Sequence, residues 1–344
     1  MHKKLSSVMA LLMLTAMFLA ACQTPAPTEA DCPKPEVLCV GLVTGLGGVD
    51  DKSFNQTAWE GVLKAQSEKV TDWVRYIETI DSKDYDQNIA TLAEAGYDVI
   101  VTVGEQYDEA TITAAKSFPD ILYIGVNQRQ GEVLPNLVGL IFHDDQSGFL
   151  AGALAAQMTK TGTIAGVFGT DLVAPVVAFK EGYEAGAKYI NPNITIISTY
   201  YPDGSEATFT DPRWGASTAA QAIQNSADVV FSTGGKIGNG ALIETANRPG
   251  LYCIGIDTDQ WETFSEAHPC LITSAMKLIT PGVLDLIKLA RDGKFPVGNY
   301  FGASGLAPYH DFDSVVPQLV KDKNNQISTG LIDGTITTGY NPGR

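Results

Sequence analysis

The chain has 344 residues, with 39 acidic against 23 basic side chains and a formal net charge of −16. An excess of negative charge on this scale repels phosphate backbones and anionic lipid headgroups, which argues against both as working partners; no nucleic acid is expected. The length is more than one ordinary core accommodates and suits two domains.

The first segment, "MHKKLSSVMALLMLTAMFLAACQ", sets the basic Lys3 and Lys4 before an apolar run ending at Ala21. A basic start, a short apolar core and small residues before a cleavage point describe a secretory signal peptide over 1–21. The apolar core is short for a membrane span, which needs ~20 residues, so an uncleaved anchor is the weaker alternative. Leu19-Ala20-Ala21-Cys22 resembles the bacterial lipobox, which implies that Cys22 carries the lipid and tethers the protein to the extracytoplasmic face of the cell membrane. The following stretch to residue 36, "QTPAPTEADCPKP" and beyond, is Pro-rich and polar, as a stalk should be. No later segment is apolar for long enough to span a membrane.

Besides Cys22 there are four cysteines, in two near pairs: Cys32 with Cys39, and Cys253 with Cys270. An even number in an exported chain suggests disulfides, and the sequence-local pairing is one of three connectivities. Zinc is the rival for four cysteines, but there is no CxxC and no suitably spaced histidine. Free buried thiols are the alternative for Cys39 and Cys253, which fall in expected strands.

From residue 36 the chain alternates strand and helix. Apolar runs at 36–45, 73–79, 97–104, 121–127 and 137–142 read as strands. Between them, helical stripes begin near Gln56 (Trp59, Val62, Leu63), cover 84–96 (Ile89, Leu92, Ala93) and run to about Phe118. The pattern restarts after a small, apolar helix at 147–158. Strands are then expected at 161–170, 194–200, 227–235 and 251–260, separated by helices through Phe179, Tyr183 and Ala187 and over 216–227, with another before 251. Two successive series of βα units imply two doubly wound parallel sheets with right-handed crossovers.

In such sheets ligands sit beyond the carboxyl ends of the strands. The stretches expected there are 45–55, 104–107, 127–129, 169–171, 201–209, 234–239 and 257–260, and nearly all carry Gly, Asp, Asn or an aromatic residue. Catalytic motifs fail one by one. "GLGGVD" has Asp50 where GxGxxG needs its last glycine, "GGKIGNG" lacks P-loop spacing, and neither GxSxG nor HExxH occurs. His143, His268 and His310 are isolated in sequence. Asp50–Asp51 and Asp144–Asp145 read as solvated loop or helix-start acids rather than a metal or acid–base pair. The chain is expected to be no enzyme and to hold no metal or cofactor.

"GGVDDKSFNQTAWEG" (47–61) resembles the signature opening of the basic membrane protein (BMP) family of ABC-transporter substrate-binding lipoproteins, which includes purine nucleoside receptors. "FLAGALAA" (149–156), "FKEGYEAGAKYINP" (179–192), "FTDPRWG" (209–215), "STGGKIGNG", "GIDTDQ" and "TSAMKLI" (273–279) continue the resemblance in order and spacing over roughly 38–290. The family implies an α/β, type I periplasmic-binding-protein fold: two doubly wound parallel-sheet lobes joined by three crossovers. These are expected near 143–145, 277–279 and 301–303, giving one lobe of 37–144 plus 278–302 and another of 145–277 plus 303–344.

The resemblance also implies a ligand set. Phe54 and Phe209 would stack on the two faces of a base, and Asn55 would place its amide at the base edge. Asp257 would accept from two ribose hydroxyls with Lys277 beside it, and Gly234 would let backbone approach the 5′ end. Asp51 would support the helix start or reach the ligand. Where the purine receptors carry acids, this chain has Gly45 and Asn127, so altered base selectivity is expected. The implied partners are a small-molecule ligand and an ABC permease with its ATPase. Competing readings are a binding protein for a sugar or other small polar ligand, a sensory receptor lipoprotein and, least favoured, a nucleoside hydrolase.

Overall fold

The computed structural model describes residues 26–202, 204 and 206–341. The expected signal segment and Cys22 lie outside them. The strands are β1 (Cys39–Val43), β2 (Trp73–Ile77), β3 (Val99–Val103), β4 (Leu122–Val126), β5 (Leu137–Ile141), β6 (Thr163–Phe168), β7 (Thr195–Tyr200), β8 (Val229–Ser232), β9 (Tyr252–Asp257), β10 (Leu271–Lys277), β11 (Gly298–Phe301) and β12 (Ser304–Leu306). The helices are α1 (Phe54–Ser67), α2 (Tyr85–Glu94), α3 (Asp108–Ser117), α4 (Asp144–Met158), α5 (Ala174–Ile190), α6 (Pro212–Gln224), α7 (Lys236–Ala246), α8 (Gln260–Thr263), α9 (Ile279–Arg291) and α10 (Gln318–Ile332).

The first sheet has the order β2-β1-β3-β4-β5-β11, with every neighbouring pair parallel. The second runs β7-β6-β8-β9-β10-β12, parallel except for the antiparallel β10–β12 edge. The inner strands "CVGLV", "VIVTV" and "LVGLI" are buried at every position. Helices cover both faces of such a sheet, so its strands need continuous apolar runs rather than alternation. The edge strand β2, by contrast, is partly exposed throughout.

The chain passes between the sheets three times: from β5 into α4, from β10 into α9, and from β11 to β12. The connecting segments hydrogen-bond to one another, Leu278 N–H donating to Ala303 O (2.9 Å) and Gly302 N–H to Ile141 O (2.9 Å). β11 and β12 carry no periodic signal in sequence because they are only four and three residues long. α9 returns to the first sheet and packs on α1, where Thr280 Oγ1 donates to Thr57 O (2.8 Å).

One packing contact positions the site. α4 and α5 touch backbone to backbone: a methyl group at Gly152 would collide with the Tyr183 carbonyl, and one at Gly186 with that of Phe149. Gly148 and Gly182 are pressed in the same way on Phe179 and Asp145. Only glycine permits that approach. No helix among the described residues is long and apolar enough to cross a membrane.

Cys32 is bonded to Cys39 and Cys253 to Cys270. The first bond pins the segment before β1, and the second joins the starts of β9 and β10, opposite the strand ends discussed below. Mass spectrometry after alkylation should find none of these four thiols free before reduction and all four after it. Replacing Cys253 and Cys270 by alanine should lower stability by about 3 kcal/mol in denaturant titrations, with ligand affinity unchanged.

Candidate functional site

The two sheets point their strand carboxyl ends at each other across a cleft of about 630 Å³, part of it the mouth open to solvent. The first sheet contributes Gly45 after β1, Glu105 after β3 and Asn127 after β4; the second contributes Gly234 after β8, Asp257 on β9 and Lys277 on β10. Asp51, Phe54, Asn55 and Phe209 also line it, so the cleft gathers all nine residues named from the resemblance. Sequence reasoning missed the wall supplied by the start of α5, chiefly Pro175, Val176 and Phe179. Phe179 reads in sequence as one member of an ordinary core stripe, because the same helix also buries Tyr183 and Ala187.

The opening turn is built around Asp51. Its carboxylate accepts the backbone N–H groups of Ser53 (3.0 Å), Asn55 (2.9 Å) and Gln56 (3.1 Å), and also the Asn55 Nδ2 (2.9 Å). Asp51 thus satisfies the free donors that open α1, although the residue next to the helix is Ser53. Burial pushes the Asp51 carboxyl above its ordinary pKa, against those hydrogen bonds. With the helix start satisfied, the Ser53 hydroxyl is free to reach across the cleft, where it donates to Asp257 Oδ2 at 2.5 Å.

Asn55 departs from expectation. Its Oδ1 accepts from Gly45 N–H (2.8 Å), and its Nδ2 donates to Leu46 O (3.3 Å) and Asp51. Both donors and one acceptor lone pair are therefore used inside the turn, so the amide retains no donor for a base edge. Asn127 is the contrasting case: it is 8% exposed, lines the cleft, and its Oδ1 has no hydrogen-bond partner among the described residues. Thr233 Oγ1 is likewise buried at the cleft without a partner.

Asp257 and Lys277 form a buried pair and not a surface one: Nζ lies 3.1 Å from Asp257 Oδ1, and each residue is 4% exposed. A second carboxylate, Asp144 Oδ1, stands 3.6 Å from the same Nζ. The ammonium also lies over two aromatic rings, 4.8 Å from the centre of Phe54 and 5.1 Å from that of Phe179. Burial opposes the charge, yet Asp144 and Asp257 hold the Lys277 pKa above its ordinary value. Burial pushes the Asp144 carboxyl up to about 7, with Lys277 pulling the other way. Gly234, at φ +93°, lies against the Gly169 backbone, where a side chain would be strained. Each adjacent acid pair contains one buried member, Asp51 and Asp144; both stand at helix starts, as one of the two expectations had it, but neither is solvated.

The lobes are drawn together by further bonds. Asn239 Nδ2 donates to Asp51 O (2.8 Å), while Thr263 Oγ1 and Gln260 Nε2 both donate to Lys52 O (2.9 and 3.3 Å). Across the cleft, Glu105 Oε2 accepts the first N–H of α5, that of Ala174 (2.8 Å). Burial raises the pKa of the Glu105 carboxyl. The histidines are less isolated than sequence suggested. His310 Nε2 lies 2.7 Å from Asp259 Oδ2 with Glu262 alongside, and Trp261 stacks on both His268 and His310.

Residues 40–304 match the family model described as ABC transporter substrate-binding protein PnrA-like. The chain is 30% identical over 328 residues (88% of each chain) to a CD4+ T-cell-stimulating antigen of Listeria monocytogenes. It is 28% identical to the ABC transporter nucleoside-binding protein BmpA of Lactococcus lactis, over 98% of this chain and 99% of that one. Among solved structures, a solute-binding protein of an ABC transporter system from Aeropyrum pernix superposes with a TM-score of 0.77 at 21% identity, covering 87% of this chain and 92% of that one. With a predominantly parallel sheet on each side of a shared cleft and the family match spanning most of its length, the chain belongs to the PnrA-like (BMP) family of ABC transporter substrate-binding proteins and is a binding protein, not an enzyme.

Proposed function

We propose that the protein captures a nucleoside between its lobes and delivers it to an ABC permease and its ATPase, held at the extracytoplasmic face of the membrane by a lipid on Cys22. In this reading residues 37–144 with 278–302 move as one lobe and 145–277 with 303–344 as the other, hinged at the three connections. The observation that carries the proposal is the buried Asp257–Lys277 couple set among aromatic rings at the cleft. A carboxylate offers about four acceptor positions, and Ser53 and Lys277 use two of those on Asp257. Two remain for adjacent hydroxyls, as a ribose presents them. Lys277 has three donors; Asp257 holds one at 3.1 Å and Asp144 faces another at 3.6 Å, so at least one is left for the same sugar. The apolar and aromatic surface of Phe54, Val176, Phe179 and Phe209 suits a flat heterocycle. The name of the Lactococcus lactis relative supports the same ligand class.

At the base end, the unpartnered amide oxygen of Asn127 takes the role first assigned to Asn55. A neutral amide offers a donor and an acceptor together, which matches an adenine-type edge; a carboxylate offers acceptors only.

Calorimetry against adenosine, cytidine, uridine, guanosine and inosine should give saturable binding for at least one. Asp257→Ala should weaken that binding about 100-fold, the loss of two charge-assisted hydrogen bonds. No heat from any nucleoside, alongside binding of a hexose, would overturn the reading. In the same assay Asn127→Asp should move the guanosine-to-adenosine affinity ratio toward guanosine by about tenfold or more. An unmoved ratio would place the base edge elsewhere.

A further inference from the structure

We propose that Asp144 is a positioning residue for ligand capture: from the first connection between the lobes it fixes the Lys277 ammonium against Asp257, and it takes up one proton as the lobes close. The inference rests on the nucleoside reading only for the choice of probe.

The placement is specific. Asp144 opens α4 directly after the first connection, and Lys277 is the last residue of β10, directly before the second. The side chains of Asp144, Asp257 and Lys277 are 7%, 6% and 4% exposed. With both acids ionised the cluster carries a net charge of −1 away from water, which is costly. Among the described residues no donor lies within 3.5 Å of Asp144 Oδ1, its cationic neighbour standing at 3.6 Å. A proton taken from solvent onto that carboxylate leaves one anion, Asp257, against one cation, Lys277, and the cluster is neutral.

Closure is what dries the cluster. The Phe54 ring over Nζ and the Ser53 hydroxyl on Asp257 both come from α1 and its turn, which belong to the first sheet. When the lobes part, these two groups withdraw and water reaches the three charges. The other titratable groups facing Asp144 are Asp145 beside it on α4 and Tyr340 from the C-terminal segment, with Glu105 and Arg129 acting on that tyrosine in turn. Asp145 already accepts from Thr338 Oγ1 at 2.5 Å. The burial that pushes Asp144 up to about 7 supports the same assignment.

The sign follows from linkage. The closed form binds the proton more tightly than the open form, so affinity is greatest at acid pH and falls as pH rises through about 7. With adenosine as the probe, affinity of the unmodified protein should fall about tenfold between pH 6 and pH 8. Titrations at pH 7 in buffers of different ionisation enthalpy should show net proton uptake on binding. Asp144→Asn should flatten the profile and abolish the uptake, Asp144→Glu should restore both, and Asp145→Asn should retain the original slope. A flat profile in the unmodified protein, or an unchanged slope in Asp144→Asn, would overturn the proposal. If no nucleoside binds, it is the functional reading that fails, and Asp144 is then tested by thermal unfolding of the protein alone. The unmodified protein should lose stability relative to Asp144→Asn as pH rises from 5 to 8; parallel curves would overturn the proposal.

Discussion

One ammonium group has to stay charged in a place almost without water, and much of the cleft is arranged around that requirement. Lys277 keeps its proton because Asp257 stands against it, Asp144 lies just beyond hydrogen-bond reach, and two aromatic rings lie close by. Those four groups come from four elements, α1, α4, α5 and β9, so the elements must converge to within a few ångströms of Nζ. For α4 and α5 the convergence is achieved by glycines at 148, 152, 182 and 186, which let the helices meet at their backbones. Their N-terminal turns, the first of α4 and the second of α5, then bring Asp144 and Phe179 to the same lysine. For α1 it is achieved by Asp51, which closes the helix start from a distance and leaves Ser53 for Asp257.

The backbone around the cleft is under strain at related points. Lys52, Asn127 and Asp257 all have φ between 60° and 65°, a left-handed conformation that costs side-chain-bearing residues on the order of 1 kcal/mol. Asn and Asp tolerate it best, and both follow or end a central strand. The turn redirects each side chain from the sheet into the cleft, where a regular strand would aim it at a covering helix. At Lys52 the same twist turns the carbonyl outward to the opposite lobe, where α8 binds it.

Most of the frame was legible from apolar runs that end in glycine, since strands covered on both faces leave that trace and little else does. The edge strands β11 and β12 were not, being shorter than the period that would reveal them. The site residues were named from motif resemblance, and the cleft holds each of them. What the sequence concealed was the division of labour. Asn55 looked like a reader of ligand and is bound into its own turn. Ser53 carried no assignment, yet its hydroxyl crosses the cleft to Asp257. Phe179 looked like core, and Asp144 like a helix-start acid with no partner in the cleft. Each error has one cause: a residue's type and spacing show that it belongs to an element, but which neighbour it meets depends on how close two elements lie.

The bonds that draw the lobes together fall mainly on main-chain oxygens of the first lobe, those of Asp51 and Lys52. A carbonyl is present whatever side chain the position bears, so mutational drift along that rim leaves the latch intact. Residues lining the cleft, Gly45 or Asn127 for instance, can therefore change without loss of the bonds that join the two sides. Cargo preference and clamp mechanics become separately evolvable, which suits a scaffold reused for many solutes.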